Sequence, residues 1–465
     1  MKSLSKLILA VALVCSSYAV PLKRSKFECP HPDEIYPCTC SSFPRKIVRC
    51  NDVKNLEIVQ SVLEHRFNNP LPTLSISNMQ TFQIPQHAFE NVLATKIIVN
   101  GSNIRRIHDD AFLGQDALGI LILSDDRLAE FPIEAIKRLP FLISLSLAGN
   151  FILKITDQSF TESRQLKSLI LSENLISSIE RNSFPRTLDS LNLVGNLIYN
   201  LNGTLIHLNN LEYLWLGNNR LQDIKGELKG ITQLKHLSLE SNDIVDIVGN
   251  FDDLLNLKFL NLANNKLEEI ENGLRHLKSL RTLNISNNYI TKIKGDFFES
   301  LNGLVTLDLS GNYLKNICKL LSPLKDMKVL SLSNSNLKSI DDDCFKEMRY
   351  LQSLDLSGNE LKNIDAVTSH PFPKLLTLKL QSNRLEMFKH GLKNVRNLIE
   401  LDISYNNFST IRRQYFAHNV RVQQLRIAGN SWDCSDHLFQ IFQELKEKAV
   451  EIFGAPICYL RKFAA

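Results

Sequence analysis

Asparagine returns to one slot of one eleven-residue frame across most of this 465-residue chain. The frame is L-x-x-L-x-L-x-x-N-x-L, with Leu, Ile, Val, Phe and a few others at the apolar slots. Leu142–Ile152 reads LISLSLAGNFI, Leu211–Leu221 reads LEYLWLGNNRL and Leu351–Leu361 reads LQSLDLSGNEL. Fifteen frames begin at 94, 118, 142, 166, 188, 211, 234, 257, 280, 304, 327, 351, 375, 398 and 422, always 22 to 24 residues apart. Slot 9 is Asn in twelve of them, the exceptions being Ser102, Asp126 and Ser335.

Leu at slots 4 and 6, with a variable residue between them, makes a short strand with one buried face. A strand this short cannot fold back on itself, so it pairs side by side with its counterpart in the next repeat. The slot-9 amide has two donor hydrogens and an acceptor oxygen. Stacked asparagines can therefore satisfy turn backbone groups that would otherwise be buried unpaired. Ile at slot 14 (Ile179, Ile224, Ile270, Ile293, Ile340, Ile364) completes the core. Phe at slot 19 (Phe112, Phe160, Phe184, Phe298, Phe345, Phe416) predicts an aromatic spine toward the convex side.

A period of this length with this pattern resembles the leucine-rich repeat. The expectation is an α/β solenoid, curved, with a parallel sheet on its concave face and disulfide-bonded caps at both ends. No repeat buries its apolar edge alone, so the ends need caps. Strands ~4.8 Å apart over fifteen repeats would extend roughly 70 Å. The period runs unbroken and no Gly/Ser/Pro-rich linker interrupts it, so a single extended array is expected. Its parts are a signal peptide at 1–19, an N-terminal cysteine cap at 20–70, about 15–16 repeats at 71–432 and a C-terminal cap at 433–465. The net charge of +5 is not the concentrated basic stripe that nucleic acid needs.

The first nineteen residues read as a secretory signal. Lys2 and Lys6 are the positive start, Leu7–Val14 the apolar core and Ser17-Tyr18-Ala19 the cleavage site. No later stretch reaches 18 apolar residues, so no membrane span is expected, and the mature chain should be secreted. Once Cys15 has left with the signal, eight cysteines remain: Cys29, Cys38, Cys40, Cys50, Cys318, Cys344, Cys434 and Cys458. An even number in a secreted chain reads as four disulfides. The front four, with His31 nearby, could instead bind zinc, but they lie where the solenoid needs a plug, and no metal or cofactor is expected. Cys318 and Cys344 lie in adjacent repeats, where lateral pairing is the expectation.

The front spacing, C-x8-C-x-C-x9-C, resembles the N-terminal cap of extracellular leucine-rich-repeat proteins. That resemblance implies Cys29–Cys40 and Cys38–Cys50. At the back, Trp432-Asp-Cys434 precedes a helical pattern of Leu438, Ile441, Phe442 and Leu445. It resembles the C-terminal cap of the same family with Asp436 where the second cysteine usually stands, which leaves Cys434–Cys458. This two-cysteine form is similar to secreted arthropod members of the family, among them non-catalytic subunits of secreted luciferase-type monooxygenases. The resemblance implies a binding role, or that of an accessory subunit beside a catalytic chain.

Slots 3, 5, 7 and 8 should face the concave surface. Tyr213, Trp215, His236 and Phe259 fall there and are the candidate partner-binding residues, expected as one exposed aromatic patch. Asp308, Asp355, Lys379, Asp402 and Arg426 at slot 5 read mostly as a solvated charged face. Asn100, Asn202, Asn284 and Asn407 head N-x-S/T sequons and are candidate glycosylation sites. A glycan on Asn284 would block the central concave surface. No nucleophile elbow, zinc-protease motif, P-loop or dinucleotide fingerprint is present. His236 near Glu240 is the one acid–base pair of note, and an array this long produces such a pair by chance. The expectation is a secreted protein-binding adaptor and not an enzyme. The alternatives are an accessory subunit of a secreted enzyme and a venom or salivary effector.

Overall fold

The structure is a computed structural model and describes residues 27–454, apart from 65, 68, 295, 315 and 316. The expected signal at 1–19 and Cys458 lie outside the described residues. The chain divides into two compact units, Met1–Leu234 and Lys235–Ala465. The division falls just after the first residue of the frame beginning at 234, with no change in period.

The first strand of the first unit, Thr39–Ser41, runs antiparallel to Ile47–Asn51. Disulfides Cys29–Cys40 (Cα–Cα 5.6 Å) and Cys38–Cys50 (4.2 Å) tie this cap together, as the resemblance implied. Every later pairing in the main sheet of this unit is parallel. Ile47–Asn51 joins Leu74–Ser77, which joins Lys96–Asn100 and then Ile120–Ser124. The sheet continues through Ser144–Ser146, Ser168–Ile170 and Ser190–Asn192 to Tyr213–Trp215. The second unit runs the same way from His236–Ser238 through Phe259–Asn261, Thr282–Asn284, Thr306–Asp308, Val329–Ser331 and Ser353–Asp355. It ends with Thr377–Lys379, Glu400–Asp402, Gln424–Arg426 and Glu451–Phe453. Slot pairs with like slot throughout: Leu260 with Leu283, Leu283 with Leu307, Leu307 with Leu330. A one-residue slip would turn the buried leucines to water, so burial fixes the register.

The slot-9 asparagines do what the amide inventory allows. Asn312 Nδ2 donates to the carbonyls of Ile285, Leu309 and Ser310 (3.1, 2.8 and 3.3 Å), and its Oδ1 accepts from Ile290 N at 3.1 Å. Asn150, Asn174, Asn196 and Asn288 repeat this set with carbonyls of their own and the preceding coil. Each amide thus closes its own turn and ties it to its neighbour, with the side chain almost fully buried. The slot-14 isoleucines are buried except Ile293, which is half-buried. The slot-19 phenylalanines give short stacks and not a continuous spine. Phe112 stacks on Phe89 at 5.4 Å, and Phe160 packs against Phe131 and Phe184. Phe298 meets Phe297 edge to face at 4.9 Å, and Phe345 is fully buried.

Cys318–Cys344 links neighbouring coils (Cα–Cα 4.6 Å), as expected. The last helix, Asp436–Glu447, buries the four predicted residues, and its Ser435 N-cap accepts from Leu438 N at 3.4 Å. Trp432 closes the last coil by donating from Nε1 to Ile427 O at 3.1 Å and packing on Phe408 and Phe442. Cys434 is disulfide-bonded, and its expected partner Cys458 lies outside the described residues. Among the described residues no helix is long and apolar enough to cross a membrane.

Candidate functional site

The four candidate binding residues fall as two pairs, one in each unit. In the first unit, Tyr213 and Trp215 project from the same side of one strand, and their rings stack at 5.9 Å with an interplanar angle of 15°. Tyr213 is half-buried, while Trp215 is only 3% exposed. That corrects the expectation of an exposed tryptophan. Slot 5 alone does not decide exposure: Tyr213 covers the Trp215 ring, and its register partner Asn192 is itself buried. Trp215 can shape the face but offers little surface of its own.

In the second unit, His236 and Phe259 are direct cross-strand partners. Their rings stack at 4.1 Å with 6° between planes, and both are half-buried. Burial pushes the His236 imidazole down to about 4, so it is neutral at physiological pH. Beside this pair lie Ser238 and Asn261 at slot 5. Ser238 Oγ donates to the Glu240 carboxylate, and Asn261 Nδ2 donates to Glu240 Oε2 at 3.2 Å. Glu240 is thus engaged in orienting two strand-face side chains. Asn284 follows at slot 5 of the next strand, in register with Asn261. A stacked aromatic pair bordered by amides and hydroxyls can take up a partner's apolar side chain while its rim pairs with backbone polar groups.

The charged slot-5 residues have a structural job that sequence reasoning missed. Oδ1 of Asp308, Asp355 and Asp402 accepts from the backbone N of Ser310, Ser357 and Ser404 at 2.9–3.0 Å, and from the same serines' hydroxyls. Asn192 and Asn284 make the same backbone bond to Val194 N and Ser286 N. Asx-type turns of this kind end the strands, so the recurring L-D-L-S phrase is turn chemistry. Lys379 reaches Asp355 at 3.8 Å, and Arg426 sits between Glu400 (3.5 Å) and the Phe453 ring (4.7 Å). The charges on this part of the face are largely paired.

The four sequon asparagines differ. Asn202 and Asn407 are exposed, whereas Asn100 and Asn284 are half-buried strand residues. Sequence reasoning also passed over an apolar flank in the first unit. Phe151, Leu153, Leu175 and Tyr199 stand at slots 10 and 12 of consecutive frames, each 39–63% exposed. Apolar residues at non-core slots were the available signal. Among the described residues no group of three or more His, Cys, Asp or Glu is placed to hold a metal ion.

A leucine rich repeat pattern matches residues 140–198, 186–244, 248–290, 278–326 and 325–385, more than half of the chain. The chain is a leucine-rich-repeat protein. A BspA-type leucine rich repeat region matches 45–138, and a further leucine rich repeat pattern matches 397–419. Among solved structures, a leucine-rich-repeat protein of Leptospira interrogans has a TM-score of 0.72 at 22% identity, covering 88% of this chain and 99% of that one. The Drosophila Toll–Spatzle complex gives a TM-score of 0.62 at 19% identity, covering 83% of this chain and 61% of that one. The functional domain of InlJ from Listeria monocytogenes, described as including a cysteine ladder, gives 0.52 at 16% identity, with coverages of 71% and 72%. At these identities the likeness is one of fold. No curated protein sequence matches the chain. In this leucine-rich-repeat protein, the slot-9 amides and slot-5 turns belong to the scaffold, Trp215 is buried with it, and Tyr213, His236 and Phe259 remain half-buried on the strand face.

Proposed function

We propose that this leucine-rich-repeat protein is a secreted recognition or adaptor protein. It binds an extracellular protein through strand-face residues and performs no catalysis. The observation that carries the reading is the half-exposed His236–Phe259 stack. No core position requires it, and it stands beside the side chains of Ser238, Asn261 and Glu240, which hydrogen bonds hold in place. Side chains fixed before binding lose little entropy when a partner docks. Tyr213 supplies the corresponding anchor in the first unit, with Trp215 supporting it.

The test is affinity capture from native extracellular fluid with the wild-type chain and with Phe259→Ala and Tyr213→Ala. A protein captured by the wild type and lost or weakened at least tenfold by Phe259→Ala supports the reading, since anchor truncations cost on the order of 2 kcal/mol. Undiminished capture by both variants overturns it. The captured chain also separates an adaptor from the accessory-subunit role that the arthropod resemblance implies, because the latter requires a catalytic protein in fixed stoichiometry.

A further inference from the structure

We propose that Asn202 carries an N-linked glycan, attached before its repeat closes. The proposal rests on the reading of the chain as secreted, and it begins from a hydroxyl that the fold does not use. Thr204 is 2% exposed, and its Oγ1 is buried with no hydrogen-bond partner among the described residues. Leu201, Leu205 and Leu208 around it are fully buried. A valine would fill this place without stranding a polar group. The hydroxyl does complete the sequon Asn202-Gly203-Thr204. Asn202 is exposed in a turn at φ +51°, and its side chain makes no hydrogen bond among the described residues. Gly203, at φ +68°, donates its N–H to Glu227 Oε2 at 2.8 Å, which holds the turn with the asparagine outward.

The other sequons have different explanations. Ser102 Oγ stands in for the slot-9 amide, donating to Asn100 O at 3.2 Å and accepting from Met79 N at 3.0 Å. Ser286 Oγ donates to Asn284 Oδ1 at 2.7 Å, the same turn that Ser310, Ser357 and Ser404 make with aspartates. The fold alone accounts for both serines. Asn407 and Ser409 are both exposed and so remain readable after folding. At Asn202 the acceptor amide is open while the hydroxyl that completes its signal is sealed in the core. The signal is therefore legible only in the unfolded or emerging chain. The reaction joins Asn202 Nδ2 to the anomeric carbon of a glycosyl diphosphate donor. The carbon–oxygen bond to the diphosphate breaks, the diphosphate leaves with the bonding pair, and the amide gives up one proton.

The test expresses the full-length chain in secreting eukaryotic cells and maps the sequon peptides before and after enzymatic removal of N-glycans. Wild type and Thr204→Ser should be modified at Asn202, and Thr204→Val should be bare there. After deglycosylation, Thr204→Val should melt at or above the wild-type temperature. Unglycosylated folded chain, offered a microsomal transferase and donor, should stay bare at Asn202, while chain translated in the presence of the same membranes should be modified. A secreted chain with Asn202 bare overturns this proposal alone. A chain that never leaves the cytosol, with Asn202 bare, overturns the secretion reading as well. A deglycosylated Thr204→Val that melts below wild type gives the hydroxyl a structural role and removes the argument.

Discussion

Replacing Asp126 by Asn should stabilise the first unit, and more so as the pH rises. Asp126 occupies slot 9, where its neighbours donate from an amide. Asn150 Nδ2 gives hydrogen bonds to Leu123 O, Leu147 O and Ala148 O at 2.9–3.3 Å. Asp126 performs the acceptor half of the task, its Oδ1 receiving Ser102 N at 2.8 Å and Ile104 N at 3.1 Å. Its Oδ2 takes the donor's place but is buried without a hydrogen-bond partner among the described residues. By the same offsets the corresponding carbonyls are those of Val99, Leu123 and Ser124, which repel a carboxylate and accept from a carboxylic acid. Burial raises the Asp126 carboxyl above the usual carboxylate range, the charge of Asp125 adds to this, and the two backbone donors oppose it. The folded state thus holds the proton more tightly than the unfolded chain. The stability this confers is complete below the ordinary carboxylate range and is lost as pH rises through the folded-state value. Asn supplies the missing donors at every pH. Restoring one buried group's partners is worth about 1–3 kcal/mol, or roughly 2–12 °C in a cooperative unit of about 200 residues. Melts of wild type and Asp126→Asn at about pH 4 and about pH 7.5 measure it. The variant's advantage should be small in acid and largest at the higher pH. An Asn variant no more stable than wild type near neutrality, or an advantage that shrinks as pH rises, would refute the reasoning.

Removing an intact slot-9 amide should do the reverse. Asn312→Ala leaves the Ile285, Leu309 and Ser310 carbonyls and Ile290 N short of a partner, costing about 3 kcal/mol or more in a urea melt. The depressed His236 value sets a second pH window. Stability present above the ordinary histidine range is lost as pH falls from about 6.5 toward about 4, and His236→Phe should flatten that part of the stability–pH curve. Cys318→Ser with Cys344→Ser opens a bridge between positions 26 residues apart and should destabilise the second unit by about 3–4 kcal/mol on the chain-entropy estimate, with the first unit's transition unmoved. Gly311 sits at φ +66°, and a Cβ there would lie 2.2 Å from Asn287 Oδ1, so Gly311→Val should lower the midpoint in a denaturant titration by an amount corresponding to at least ~2 kcal/mol.

The scaffold was legible because its determinants are periodic. Leu at slots 4 and 6 predicts the strands, Asn at slot 9 the turns, and the clustered cysteines the caps. What the sequence hid depends on what stands next to what. Trp215 reads as exposed from its slot and is buried, with Tyr213 stacked on its ring and Asn192 in register beside it. Asp308, Asp355 and Asp402 read as solvent-facing charge, yet each caps a strand through the serine two residues on. Asp126 was visible as an exception to the Asn column, but its missing partner appears only once burial is known. Thr204 was visible only as the third letter of a sequon. The division after Leu234 leaves no mark in the period. The binding face was the least legible part, since a solenoid's surface slots are free of the constraints that make its core readable.

The central claim is that like slots of successive repeats lie in register along one parallel sheet within each unit. Spin labels at Thr282→Cys and Gln424→Cys test it most directly in the second unit. Six in-register strand steps separate the two positions, which at ~4.8 Å each place the backbones roughly 29 Å apart. A single narrow distance distribution near that value, broadened only by the label tethers, is the expected result. A broad or multimodal distribution, or a dominant separation beyond about 40 Å, is irreconcilable with strands at sheet spacing and would contradict the account.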